Sequence, residues 1–244
     1  NVDCFGANTG SLTVSGAGSS GYQYSIDGGT TFQGSGTFTG LTAGNYTITV
    51  QDALGCQTTV AATITEPTVL AGTLDATTDI LCNGGSNGSI TVSATGGTTG
   101  YQYSIDGGTN FQVSGTFGTL AAGNYTVTVE DANGCQTTVA AVINEPTPVV
   151  GNLDATTDVL CNGGSDGSLT VSANGGTPTY QYSIDGGTTF QASGTFSNLT
   201  AGNYTITAED ANGCQTTVAA TINEPTIVVG SLDATTDVLC NGGS

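Results

Sequence analysis

Leu120–Cys135 reads LAAGNYTVTVEDANGC, and it returns as LTAGNYTITVQDALGC at Leu41–Cys56 and as LTAGNYTITAEDANGC at Leu199–Cys214. The three copies are spaced by 79 residues, and the flanking text returns with them. Such a fixed period marks a module written several times, so any function has to be sought in an array. Within each copy Ala-Gly-Asn supplies a turn, a tyrosine opens the strand, and Thr alternates with Val, Ile or Ala. That alternation puts apolar side chains on one face of a strand and hydroxyls on the other. Asp-Ala-Asn-Gly, or Asp-Ala-Leu-Gly in the first copy, then closes the strand with turn-forming residues.

Working outward, the 244 residues hold no Lys, Arg or His against 19 Asp plus Glu, a formal net charge of −19. A chain without basic side chains has nothing to neutralise phosphates or to meet anionic lipid, which excludes nucleic-acid binding by counterion release and attachment to acidic membranes. Nor can its side chains form salt bridges. Each carboxylate must be solvated, accept hydrogen bonds, or bind a cation from solution. No apolar run approaches the roughly 20 residues needed to span a bilayer as a helix, and no signal-peptide pattern opens the chain, so an export signal is expected elsewhere.

The pattern predicts an all-β fold with almost no helix. Thr and Ser alternate with Val, Ile and Tyr, and the 39 glycines supply tight turns. Repeat 1 is expected over residues 1–67 with its first strand missing, repeat 2 over 68–146, repeat 3 over 147–225, and the start of repeat 4 over 226–244. Residues 237–244 occupy the same repeat positions as 1–8, as a window taken from a longer array would. In repeat 2 the inward sets are Ile90, Val92 and Ala94; Tyr101, Tyr103 and Ile105; Tyr125, Val127 and Val129; and Val139, Ala141 and Ile143. About seven short strands per repeat are predicted, including an edge strand in the Gly and Ser stretch between Phe32 and Phe38, with Asp27-Gly28-Gly29 as a hairpin turn. Two antiparallel sheets packed face to face, each wet on its outer side, satisfy such alternation. The Leu-x-Ala-Gly-Asn-Tyr stretch resembles the turn into strand F of an immunoglobulin-like sandwich, where a tyrosine hydroxyl ties the corner to nearby backbone. That role, rather than a plain core aromatic, is predicted for Tyr46, Tyr125 and Tyr204. The short Glu-Pro-Thr links at 66, 145 and 224 leave little room for swivelling.

Cysteines fall at 4, 56, 82, 135, 161, 214 and 240. No closely spaced pair suits zinc, and regular spacing in an acidic chain predicts disulfides in an oxidising, extracellular setting. Pairing inside each repeat would join Cys4 to Cys56, Cys82 to Cys135 and Cys161 to Cys214, leaving Cys240 alone. The rival pairing joins Cys4 to Cys135 and Cys82 to Cys214 across the junctions. It avoids a difficulty, because the A–B and F–G turns of such a sandwich lie at opposite ends.

The ordered string Cys-Asn-Gly-Gly-Ser-Asp-Gly-Ser-Leu-Thr-Val, Gly-Gly, Tyr-x-Tyr-Ser, Ala-Gly-Asn-Tyr-Thr, Asp-Ala-Asn-Gly-Cys and Glu-Pro resembles the SprB-type repeat, over essentially the whole chain. The resemblance implies very long adhesins on the surface of gliding Bacteroidetes, exported by the type IX secretion system, and it implies no catalytic residues. The first repeat departs most, at Cys4-Phe5-Gly6 and Ala53-Leu54-Gly55. Together these readings predict a non-enzymatic, extracellular, cell-surface stalk. Its neighbours are repeats of its own chain, and its surface or glycan ligand is not specified by the sequence. The alternatives are a filament subunit joined to other copies by strand addition, and a glycan-binding array.

Other chemistry is thinly represented. Glu130-Asp131 and Glu209-Asp210 are the candidate carboxylate pairs for a glycosidase, but adjacent strand residues face opposite ways. Oxygen-only ligands suit calcium, and Glu66, Asp79, Asp131, Glu145 and Asp158 are the candidate ligands, although no complete D-x-D-x-D-G loop is present. No cofactor is otherwise indicated. Trypsin, whose specificity pocket requires a basic residue, should leave the chain at full length on a denaturing gel after prolonged digestion.

Overall fold

The computed structural model describes residues 1–18 and 20–235 of the chain. Cys240 lies outside the described residues. Repeat 1 forms β1 (Gly10–Thr13), β2 (Gln23–Ser25), β3 (Thr37–Leu41), β4 (Gly44–Gln51) and β5 (Gln57–Ile64). Repeat 2 forms β6 (Ala71–Thr78), β7 (Gly88–Thr95), β8 (Gln102–Ser104), β9 (Thr116–Leu120), β10 (Gly123–Glu130) and β11 (Gln136–Ile143). Repeat 3 forms β12 (Val150–Thr157), β13 (Gly167–Asn174), β14 (Gln181–Ser183), β15 (Thr195–Leu199), β16 (Gly202–Glu209) and β17 (Gln215–Ile222). Among the described residues no helix is long and apolar enough to cross a membrane.

Repeat 2 shows the module whole. One sheet has the order β6-β7-β9 and the other β11-β10-β8, all antiparallel. In chain order these are strands A, B and E facing C, F and G, so the module is an immunoglobulin-like sandwich. Repeat 3 repeats the pattern as β12-β13-β15 and β14-β16-β17. The count is thus six strands rather than seven. The Gly and Ser stretch after Phe32 gives only a bridge between Tyr24 and Gln33, because the Gln33 side chain turns back to donate to the carbonyls of Ser35 and Thr37 at 2.6 and 3.0 Å. That bridge closes the loop around Asp27-Gly28-Gly29.

Each core lies between its two sheets. In repeat 2, Ile90, Val92, Tyr103, Val127, Val129, Val139, Ala141 and Ile143 are buried together, with Ala94, Tyr101, Ile105 and Tyr125 packed at the edge. The same positions in repeat 3 gather Leu169, Val171, Tyr182, Ile206, Ala208, Val218 and Ala220. Alternation alone selects these side chains, because each register step of one residue exchanges the two faces.

The turn into strand F is fixed by its tyrosine. The hydroxyls of Tyr46, Tyr125 and Tyr204 donate to the carbonyls of Thr42, Ala121 and Thr200, each at 2.9 Å. In every copy the ring spans the turn and ties the start of the strand to the residue four before it.

The chain forms two compact units. The first holds Asn1–Ile80 with Gly84–Asn144, and the second holds Leu81–Asn83 with the residues from Glu145 onward. Inside the first unit, Ile80 donates its N–H to the Asn144 carbonyl at 2.8 Å, and the carboxylate of Asp79 accepts the Asn144 N–H at 2.9 Å. The A–B segment therefore sits at the end of the module where strand G leaves. Changing Tyr125 to Phe removes one hydroxyl bond without altering packing, and should lower the unfolding free energy of its module by about 1 kcal/mol, read from urea titration of the variant against the parent.

Candidate functional site

The most built-up polar site in each module is the F–G turn. Asp131 follows strand β10 and is buried, with 2% of its surface exposed. Its Oδ1 accepts the N–H groups of Asn133 and Cys135, both at 2.9 Å, and its Oδ2 accepts that of Thr98 at 2.8 Å. Asp210 repeats the arrangement with Asn212, Cys214 and Thr177 at 2.9, 2.9 and 2.8 Å. One carboxylate thereby shapes the F–G turn and pins it to the B–C loop. Burial pushes the Asp131 carboxyl up, but the N–H groups of Thr98, Cys135 and Asn133 outweigh it and hold the group below the usual carboxylate value. Asp210 is held down against its burial in the same way by Thr177, Cys214, Asn212 and Gly213.

This turn presents two groups outward, a cysteine and an asparagine, and both are used at the junction. Cys135 is bonded to Cys4, and Cys214 to Cys82, with Cα separations of 5.7 and 5.5 Å. Beside them the Asn133 side chain donates to the Asp3 carbonyl at 2.9 Å, and that of Asn212 to the Leu81 carbonyl at 3.2 Å. The pairing inside repeats is therefore corrected. Cys4 does not meet Cys56, nor Cys82 Cys135, nor Cys161 Cys214, because the A–B segment and the F–G turn occupy opposite ends of one sandwich. Each staple instead runs from the A–B segment of one repeat to the F–G turn of the next. Cys56 and Cys161, expected in disulfides, are exposed free thiols.

The link that leaves strand G is fastened to the same segment. In the first unit, Val2 donates its N–H to the Thr65 carbonyl at 3.0 Å, and the Gly6 N–H goes to Glu66 Oε2 at 2.7 Å. In the second unit, Asn83 donates to the Pro146 carbonyl at 3.0 Å, Asn162 to that of Pro225 at 3.1 Å, and the Gly163 N–H to Glu224 Oε2 at 2.8 Å. Short length is thus reinforced by direct hydrogen bonds, and the Glu of each of these two Glu-Pro links is a backbone acceptor.

The calcium candidates are placed accordingly. Glu66 accepts from Gly6, Asp79 from Asn144, Asp131 from its turn and from Thr98 of the B–C loop, and Asp158 from the Asn223 N–H at 2.8 Å. Glu145 lies in the link before β12. Among the described residues no three Asp, Glu or Cys side chains gather so as to hold a metal ion. The glycosidase pairs are separated in function as well as direction. Glu130 and Glu209 each accept the side chain of a cross-strand glutamine, Gln136 and Gln215, at 2.6 Å, while Asp131 and Asp210 are committed to the turn.

Two features escaped the sequence reading. Asn133 and Asn212 look like turn formers, and only their absence in the first repeat, where Leu54 stands, hints at another role. The Asp-Gly-Gly loops are also longer than two-residue hairpin turns, being closed by the bridges Tyr24–Gln33, Tyr103–Gln112 and Tyr182–Gln191. The Thr31 hydroxyl and N–H and the Ser25 hydroxyl hold the Asp27 carboxyl well below its ordinary range, and Asp106 and Asp185 are held likewise, led by the Asn110 N–H and the Ser183 hydroxyl.

The family model described as the SprB repeat matches residues 74–110 and 153–189, so the chain carries SprB repeats there. None of the curated proteins matches the chain. Among solved structures, the chain is similar to the three N-terminal domains of the bacteriophage RB49 highly immunogenic outer capsid protein, at 17% identity and a TM-score of 0.38, covering 92% of this chain and 97% of that one. It is also similar to the N-terminal eight Ig domains of Down syndrome cell adhesion molecule isoform 1.30.30, at 16% identity and a TM-score of 0.36. That alignment covers 90% of this chain, which spans 34% of the length of its partner.

The depressed aspartates have a consequence for acid stability. Folded values below the unfolded value near 3.9 add stability that is present above about pH 4 and is lost as pH falls through the folded values. Changing Asp210 to Asn turns one acceptor into a donor facing the Thr177 N–H, and should cost on the order of 2 kcal/mol at neutral pH. Calorimetric melting should fall between about pH 4 and pH 2 in the parent, and fall less in the variant.

Proposed function

We propose that this chain is a load-bearing, non-catalytic stretch of an extracellular adhesin, held at the cell surface and carrying tension between that surface and a distant binding partner. Surface adhesion, with gliding, is the use that the resemblance to SprB-type repeats implies. The SprB repeats and the disulfides support an extracellular adhesin region.

The observation that carries the reading is the overlap of the staples. Cys82 lies inside the loop closed by Cys4 and Cys135, and Cys135 lies inside the loop closed by Cys82 and Cys214. Two independent covalent routes therefore connect Cys4 to Cys214. One crosses the first disulfide and follows the backbone from 135 to 214. The other follows the backbone from 4 to 82 and crosses the second disulfide. Residues 83–134 belong to neither route, so a break there interrupts no load path. A single cut anywhere between Cys4 and Cys214 leaves both ends joined. Sandwiches stapled only internally would lose continuity at any cut in a link.

The same overlap limits stretching. Unfolding under load can release only one of the two routes' backbone, because a staple bypasses a sequence separation of 131. At roughly 3.5 Å per extended residue, reduction adds about 450 Å of contour length. Each closed loop also restrains the unfolded chain, by about 5 kcal/mol on loop-entropy reckoning.

The absence of Lys and Arg makes a direct test simple, since one substitution creates a unique trypsin site. Leu160 is exposed, and after digestion the Leu160→Arg variant should run as one piece on a non-reducing denaturing gel and as two pieces after reduction. Two pieces without reduction would rule out continuity through Cys82 and Cys214, and with it the two-route cable.

A further inference from the structure

Each module with the full strand set has four sheet edges, A, E, C and G, and three of them are guarded. On the A edge a bulge between Leu74 and Ala76 puts Asp75 out of register, where its carboxylate accepts the Ser93 hydroxyl at 2.8 Å. Asp154 and Ser172 repeat this at 2.9 Å in repeat 3. On the E edge the register slips beside Gly88 and Gly167, where Thr119 and Asn198 take left-handed φ values of 60° and 59°. Strand C is short, and its outer edge is occupied by Gln112 or Gln191, which exchanges two backbone hydrogen bonds with Tyr103 or Tyr182. A charge, a bulge, a short strand or a covering loop each keeps an edge from pairing with another chain.

Strand G has none of these devices. β11 and β17 each run for 8 residues, paired one to one with strand F without a register shift. Their text, QTTVAAVI and QTTVAATI, holds no charge, proline or glycine, although the chain carries 19 Asp plus Glu. β5 has the text of β17 and the same regular pairing. Strand A packs on the inner side of G, with Gly72 over Val139 and Gly151 over Val218. Among the described residues no backbone hydrogen bond joins strand A to strand G within a module. In an antiparallel ladder every second residue turns its N–H and C=O away from its partner. The G edge therefore presents a regular row of donors and acceptors to whatever lies beside it.

Parity and charge select the occupant. A strand added to this edge must place its side chains on the same faces as those of G, inner beside inner and outer beside outer. A second copy of G does so when it runs antiparallel with Ala140 opposite its own counterpart. Thr138 then faces Val142, and Val139 faces Ala141. In repeat 3 the same register sets Ala219 opposite itself and Thr217 opposite Thr221. Small or β-branched side chains meet in these pairs, and like charges meet in none. The outer positions are open to such a neighbour, since Ala140 and Ala219 are exposed and Val142 is 51% exposed.

We propose that two copies of this chain pair laterally through strand G, antiparallel about a twofold axis normal to the sheet, so that two three-stranded C–F–G sheets become one continuous sheet. Such an isologous contact uses the same patch on both copies. Strand addition satisfies the edge with main-chain hydrogen bonds. One strand pair is smaller than a standard interface, so association through a single module is weak. The edge recurs as β5, β11 and β17, and each further pair formed between the same two copies raises the avidity. Charge opposes the contact, because both copies are anionic, and salt therefore strengthens it. Lateral pairing is independent of the two-route cable, and sets such cables side by side.

The test uses the 244-residue chain with its free thiols alkylated, so that disulfide exchange cannot mimic association. Sedimentation velocity should show a dimer that grows with protein concentration and strengthens as sodium chloride rises from roughly 0.02 to 0.5 M. Hydrogen exchange should slow on β5, β11 and β17 as concentration rises, and stay unchanged on β9 and β15. The combined Ala61→Glu, Ala140→Glu and Ala219→Glu variant sets like charges opposite each other at each dyad, and should weaken association about tenfold or more with unchanged melting. Thr37→Glu, Thr116→Glu and Thr195→Glu together add the same charge on strand E, and this variant should associate like the parent. A parent that stays monomeric throughout overturns the pairing. So does slowed exchange that spares strand G, a triple alanine variant that associates like the parent, or equal loss of association in both variants. Each of these results leaves the Leu160→Arg test of the single chain unaffected.

Discussion

Without a cationic side chain, a buried carboxylate in this protein has to be met by N–H and O–H donors or by a cation from solution, and at the F–G turn the backbone is bent to supply the donors. Asp131 and Asp210 each collect three main-chain N–H groups, two from their own turn and one from the B–C loop. The charge is thus met by fixed dipoles rather than by a mobile counter-charge. Among the described residues no buried side-chain nitrogen or oxygen lacks a hydrogen-bond partner. The energetic gain is local, but the geometric result is wider. Because the turn is held from inside, its outward cysteine and asparagine are aimed at the adjoining segment before any disulfide forms.

Sandwich topology then decides what those groups can reach. An even number of strand reversals separates the A–B segment from the F–G turn, so the two lie at opposite ends of a module and cannot be stapled to each other. They can be stapled only between successive modules, and this constraint converts a fold-level fact into a covalent chain with overlapping loops. Polar bonds at the links act in the same direction. Asn83 on the Pro146 carbonyl and Gly163 on Glu224 hold the exit of strand G against the segment that bears the cysteine.

Period-two alternation was sufficient to read most of the fold. Val127, Val129, Val139 and Ile143 form the core that their spacing prescribes, since the face of a strand is set by parity alone. The strand count and the stretch after Phe32 were less legible, because a glutamine side chain captures backbone carbonyls that a ladder would otherwise use. Disulfide partners were legible only as alternatives, since spacing gives the loop size of either pairing and nothing about which ends meet. The second role of Asn133 could not be read at all from an Asn-Gly pair that any turn would favour. What distinguishes it is its direction, and direction comes from the buried Asp131 two residues earlier.

Glycine at the centre of the A strand shows how the same repeat text can carry a packing rule. A strand interior usually disfavours glycine, which contributes no side chain and loses more backbone entropy than other residues. Here the missing Cβ is what admits Val139 to Gly72 and Val218 to Gly151. The local cost is offset by closer approach of strand A to strand G, across the gap between two sheets that share no backbone hydrogen bonds along that edge.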